Sequence, residues 1–200
     1  MDKLIPEYQN FGRAHLADIC ENWVVYRNLE PVDKRLPGLK SSYYDMELRN
    51  ELIPRKQDQD YAKVATWFLR QMQRLRGVKT PVSEVLFIGD TLFNDSQAYK
   101  NIRKYTNWQG SCFICSERVE QAPEYSVDDA NVFTANRWSA LADWVRWLRA
   151  EGLHLDERTA VIIDIDKTAL GAKGRNDKGH RSGTAERHLP DDGCCAGRGI

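Results

Sequence analysis

The chain has 200 residues, 42% of them hydrophobic, and its 29 basic side chains balance 29 acidic ones. That length suits one buried core with appendages, and zero net charge argues against a general nucleic-acid binder and against an acidic, solvating disordered chain. No apolar run is long enough to span a bilayer, residues 1–20 lack a signal-peptide core, and five cysteines without framework spacing fit a reducing compartment; the expectation is a cytoplasmic protein with no membrane or nucleic-acid partner.

Leu16, Ile19, Cys20, Trp23 and Val24 recur at helical spacing and predict a helix over 13–25. Residues 27–57 are polar and broken by Pro31, Pro37, Gly38 and Pro54, which predicts a loop-rich connection or the remnant of a lid. Tyr61, Val64, Phe68, Met72 and Leu75 form the stripe of a strong helix that Gly77 ends. "EVLFIGD" then reads as a buried strand, followed by a helix from about Asp95 with Ala98 and Ile102 on one face. "GSCFICS" and "ANVFTA" read as two more strands, "NRWSALADWVRWLRAEG" as an amphipathic helix with Asn136 a possible N-cap and Gly152 past its end, and "TAVIID" as a last strand. On that helix Trp138 is expected in the core, while Trp144 and Trp147 are read as a partner surface.

Short apolar strands alternating with helices imply an α/β fold with a parallel sheet. From Gly171 onward large apolar residues nearly vanish, and seven of the thirteen glycines fall in that tail, so disorder is expected there. The division is 1–57 as helix and connection, 58–170 as the α/β domain and 171–200 as tail.

In an open parallel sheet, chemistry collects beyond the carboxyl ends of the strands. Two strands end in acids, "VLFIGDTLFND" at 85–95 and "AVIIDIDKT" at 160–168. Side by side, they would bring Asp90, Asp95, Asp164 and Asp166 into one small volume. Such a cluster repels itself unless a divalent cation sits among the oxygens, and Mg²⁺ favours an all-oxygen, water-retaining setting suited to phosphoryl chemistry.

Here the sequence resembles the haloacid dehalogenase (HAD) superfamily. "DIDKT" after an apolar strand looks like its first motif, Asp-x-Asp-x-Thr, and "GDTLFND" like its fourth, Gly-Asp with a second acid following. The resemblance implies a HAD-like, Rossmann-type parallel sheet flanked by helices. It also implies Mg²⁺-dependent hydrolysis of a small phosphorylated metabolite through an aspartyl-phosphate. Asp164 would be the nucleophile, Asp166 the general acid and then base, and Thr168 would help fix the loop. Asp90 would bind Mg²⁺ with Asp164 and the carbonyl of Asp166, with Asp95 in support. The family's lysine falls on Lys63, with Lys56 in "PRKQD" the alternative; no residue matches the second motif, since the strand before Ser116 falls in the wrong part of the order.

The order of motifs departs from the family's, in which the Asp-x-Asp-x-Thr strand opens the domain. Circular permutation, the junction of two domains, or truncation after residue 170 each account for it, and a non-catalytic or truncated HAD-like scaffold is the rival to the enzyme. Cys112 and Cys115 form a CxxC, but inside an apolar run they read as core thiols. "GAKGRNDKG" lacks the Gly-Lys-Ser/Thr ending of a phosphate-binding loop.

Overall fold

The structure is a computed structural model, which describes residues 15–170. The predicted tail from Gly171 and the first two residues of the first predicted helix lie outside the described residues. In chain order the elements are α1 (Leu16–Cys20), α2 (Leu39–Ser42), α3 (Gln59–Leu75), β1 (Glu84–Gly89), α4 (Leu92–Thr106), β2 (Gln109–Cys115), β3 (Tyr125–Val127), β4 (Val132–Ala135), a 3-10 turn (Trp138–Ala140), α5 (Leu141–Ala150) and β5 (Thr159–Ile163). The five strands form one sheet in the order β3-β4-β2-β1-β5, with every neighbouring pair parallel except β3 with β4. This is an α/β fold with a mostly parallel sheet flanked by helices, compatible with a Rossmann-like arrangement.

The central strands are continuous apolar runs because both of their faces are covered. One face, with Val85, Phe87, Cys112, Ile114 and Val132, packs against Ala62 of α3 and Ala98, Tyr99 and Ile102 of α4. The other, with Leu86, Phe113, Phe133 and Ala135, packs against Trp144 and Leu148 of α5. Cys112 and Cys115 thus lie in cores on opposite sides of the sheet, both thiols buried, which rules out a shared metal or a disulfide between them. Burial pushes both thiols up, Cys115 to about 12.

The stretch 27–57 has little regular structure, as its prolines and glycine predict, yet it is not merely a connection. Leu29, Leu39, Met46 and Leu48 are buried against Val64 and Phe68 of α3, forming a third small core. Those apolar residues have neither a 2- nor a 3.6-residue period, so periodicity could not reveal their burial. Helix α3 stops where expected, with Gly77 at φ 70° donating back to the Arg74 carbonyl.

Three local expectations change. Asn136 does not cap α5: its amide donates to the Ala122 carbonyl and its Oδ1 accepts from the Glu124 N–H, both at 2.8 Å, pinning the preceding loop. The helix instead begins through the 3-10 turn. Trp144 belongs to the core, not to a partner surface. Strand β3, missed in the sequence, is a three-residue antiparallel strand with all its residues exposed, so it carries no apolar signal.

Strand β5 is an edge strand among the described residues. Ala160 is buried on the α3 side, whereas Val161 and Ile163 on the α5 side remain 47% and 44% exposed. No described helix is long and apolar enough to cross a membrane.

Candidate functional site

Strands β1 and β5 run parallel in register, Glu84 opposite Thr159 through Ile88 opposite Ile163. The Asp164 N–H extends the ladder by donating to the Ile88 carbonyl at 2.9 Å. Both strands therefore finish at one level, with Asp164 just past β5 and Asp90 just past β1. Asp95, 1% exposed, turns inward from the first turn of α4. One carboxylate oxygen from each of Asp90, Asp95 and Asp164 lies within 4.8 Å of the others, the only group of metal-ligating side chains of this kind among the described residues.

Gly89 makes that approach possible. A Cβ there would stand 2.4 Å from Asp95 Oδ2 and 2.6 Å from its Cγ, closer than any side chain tolerates. With the space open, Asp95 Oδ2 accepts the N–H groups of Asp90 (3.2 Å) and Thr91 (3.0 Å), which shapes the β1–α4 loop. Sequence reading recognised the Gly-Asp pair but not this physical reason for it.

A lysine closes the cluster, and it is Lys56. Its Nζ donates to Asp164 Oδ1 at 2.5 Å and to Asp95 Oδ1 at 2.6 Å. The loop that carries it is moored to α4: Asn101 donates to the Gln57 carbonyl (2.8 Å) and the Gln57 amide to Asn94 Oδ1 (2.6 Å). Lys63 is engaged elsewhere, with the Asp60 carboxylate at 2.7 Å and the Glu47 carbonyl at 3.1 Å. The preference for Lys63 rested on its place in the long helix. What favours Lys56 is a contact across 108 residues of chain, which local pattern does not encode.

The electrostatics of the pair are unequal. Burial pulls the Lys56 ammonium down, but two hydrogen-bonded carboxylates outweigh it and hold the amine well above its ordinary value. Burial pushes the Asp164 carboxyl up; Lys56 draws it back, and the charges of Asp95 and Asp90 push it up again, leaving it above the usual aspartate range. The lysine charge is the firm one, since it faces two acids, while Asp164 shares one cation with two other carboxylates.

Counting oxygens divides the labour. Both oxygens of Asp95 are engaged, one by Lys56 and one by backbone N–H groups. Asp90 Oδ1 accepts from the Thr91 hydroxyl at 3.0 Å, and Asp164 Oδ1 from Lys56. Oδ2 of Asp90 and Oδ2 of Asp164 keep the most open capacity. Three carboxylates against one ammonium leave two net negative charges, which a hard divalent cation with oxygen ligands matches. The three acids can therefore hold a metal ion between them, Asp90 and Asp164 with the freer oxygens and Asp95 also shaping the loop through its backbone contacts.

Asp166 is exposed two residues beyond Asp164, where it pairs with Leu170 in an isolated bridge as the chain turns back. The hydroxyl of Thr168 is buried without a hydrogen-bond partner. Ser116, at the end of β2, is exposed. Set against protein-family models, curated proteins and solved structures, the chain finds no match in any of the three.

Proposed function

We propose that the chain is a HAD-type phosphohydrolase that cleaves small phosphate monoesters in the presence of Mg²⁺. The observation that carries the reading is the Lys56 ammonium bridging Asp164 and Asp95 beside Asp90, at the carboxyl ends of two adjacent parallel strands. Asp164 attacks phosphorus through a carboxylate oxygen while Lys56, bonded to that carboxylate, offsets the charge that gathers around the transferring group. The bond from phosphorus to the ester oxygen breaks, and Asp166 gives that oxygen its proton. Asp166, now a carboxylate, takes a proton from water as the water oxygen bonds to phosphorus and the bond to Asp164 breaks, which releases phosphate and returns Asp164 as the carboxylate and Asp166 as the protonated acid. A Mg²⁺ held by Asp90 and Asp164 would neutralise phosphate charge so that an anionic nucleophile can approach.

The test is phosphate release from a panel of small esters in Mg²⁺, with a chelated control and the Asp164→Asn variant alongside. Activity abolished by both is the expected result. Turnover by the folded wild type no greater than that of the variant, on every ester, overturns the reading.

The edge position of β5 favours a second reading. A parallel edge strand with two exposed β-branched residues is incompletely covered. On that reading the chain is a non-catalytic or incomplete HAD-like module, and the same assay returns no turnover from folded protein.

A further inference from the structure

The rim around the acid cluster says what kind of ester would fit it. The loop that ends in Lys56 carries Leu52 and Ile53, 74% and 50% exposed, and the first turn of α4 carries Leu92 and Phe93, 54% and 73% exposed. These four large apolar side chains flank the charged residues in sequence: two precede Lys56 by three or four positions, and two lie between Asp90 and Asp95. The two segments are held together at the cluster by the Lys56 bridge and by the Gln57–Asn94 and Asn101–Gln57 hydrogen bonds.

The first turn of α4 has an unusual division. Asp95 and Ser96 turn inward and are buried, while Leu92 and Phe93 turn to solvent. Two polar neighbours, Gln57 and Asn94, are bonded to each other. Leu52, Ile53, Leu92 and Phe93 are thus exposed hydrocarbon within four residues of Lys56 or of the Asp90–Asp95 pair.

We infer that the site selects phosphate monoesters whose leaving group carries an apolar aryl or alkyl body, with Leu92 and Phe93 of α4 and Leu52 and Ile53 of the Lys56 loop as specificity residues. The inference rests on the phosphohydrolase reading for the position of the phosphate, and on the exposed rim for the rest. Recognition by hydrocarbon contact is graded, each buried methylene being worth roughly fourfold when fully removed from water and less on an open rim.

The experiment compares kcat/KM of the full chain in Mg²⁺ for methyl through hexyl phosphate, phenyl phosphate and glycerol phosphate. The matching alkyl phosphonates, which cannot be hydrolysed, are titrated calorimetrically in parallel. We expect kcat/KM to rise at least about tenfold from methyl to hexyl phosphate, and phenyl phosphate to exceed glycerol phosphate. In Phe93→Ser and Leu92→Ser the hexyl-to-methyl ratio should fall while the melting temperature holds, since both side chains are exposed. Turnover with a flat chain-length series overturns the inference and leaves the hydrolase reading standing. No turnover, with phosphonate affinity still rising with chain length and lost in Phe93→Ser, overturns the hydrolase reading and supports the ligand class. A steep series unchanged in both variants, or a response only to esters embedded in vesicles, overturns the assignment of the rim.

Discussion

A methyl group on Gly89 would collide with the carboxylate of Asp95, 2.4 Å from one oxygen and 2.7 Å from its Cβ. Because Asp95 is fixed by Lys56 on one oxygen and two backbone N–H groups on the other, it has little room to retreat. Gly89→Ala should therefore lower stability by about 1–3 kcal/mol, the usual range for forcing atoms into a packed site, and should displace the Asp90 loop with it. Chemical denaturation and phosphate release check this together; an unchanged midpoint and unchanged turnover would mean that the Asp95 carboxylate swings aside freely. Asp164 leads to a prediction of the opposite sign. Burial, with the charges of Asp95 and Asp90, raises its carboxyl above the unfolded value despite Lys56, so its ionised form is disfavoured by folding. A raised acid costs stability in full above its folded pKa, and the cost fades as pH falls through that value toward the unfolded one. Asp164→Asn in chelator should thus melt higher than wild type at pH 7, with the gap narrowing as pH falls toward about 4, near the ordinary aspartate value. A variant that melts lower at pH 7 and converges with wild type in acid would show that the Lys56 contact outweighs burial.

Elements with a regular period were legible in the sequence, and those shaped by distant partners were not. β1, β2 and β4 announce themselves as apolar runs because helices cover both faces of the sheet's centre, β5 is an apolar run although Val161 and Ile163 stay exposed, and α3 and α5 show their stripes. β3 has no buried residue to mark it, and Leu29, Leu39, Met46 and Leu48 of the third core have neither a 2- nor a 3.6-residue period. The assignment of Trp144 failed for a phase reason: the turn at Trp138–Ala140 is 3-10, so counting 3.6 residues per turn from Trp138 rotates the stripe away from its true line through Trp144 and Leu148. In the structure the Trp144 indole donates to Ser111 Oγ at 2.8 Å, and that hydroxyl donates to the Asn131 carbonyl at 2.8 Å, tying α5 to the sheet. Trp144→Phe removes the donor and part of the packing, so it should destabilise by about 1–3 kcal/mol. Trp147→Phe, at a half-buried position, should cost less. Urea midpoints measure both, and equal losses at the two positions would contradict the placement of Trp144 in the core.

At the scale of the whole molecule, the site is made by parts of the chain that meet only on folding: a loop before α3, the end of β1 and the end of β5. The two aspartate motifs could be read because each sits at a strand end, and an open parallel sheet gathers such ends on one side. Their pairing in register required the fold, and the lysine required it more, since Lys56 reaches Asp164 across 108 residues. This construction makes metal binding and folding one equilibrium. A cation that binds the assembled carboxylates and not the unfolded chain stabilises by about 2.7 kcal/mol at a hundredfold excess over its Kd, which for a chain of this size is roughly 5–10 °C in Tm. Mg²⁺ should therefore raise the Tm of the wild type, and Asp90→Asn or Asp164→Asn should abolish the rise. Lys63→Ala should retain it, because its ammonium serves Asp60 and the Glu47 carbonyl. Lys56→Met separates the two cations' roles. It leaves three carboxylates with no ammonium among them, so the variant should melt below the wild type in chelator and gain more than the wild type on adding Mg²⁺, while its turnover falls. If Mg²⁺ moves neither protein, Lys56 alone balances the aspartates and the cluster is not a metal centre.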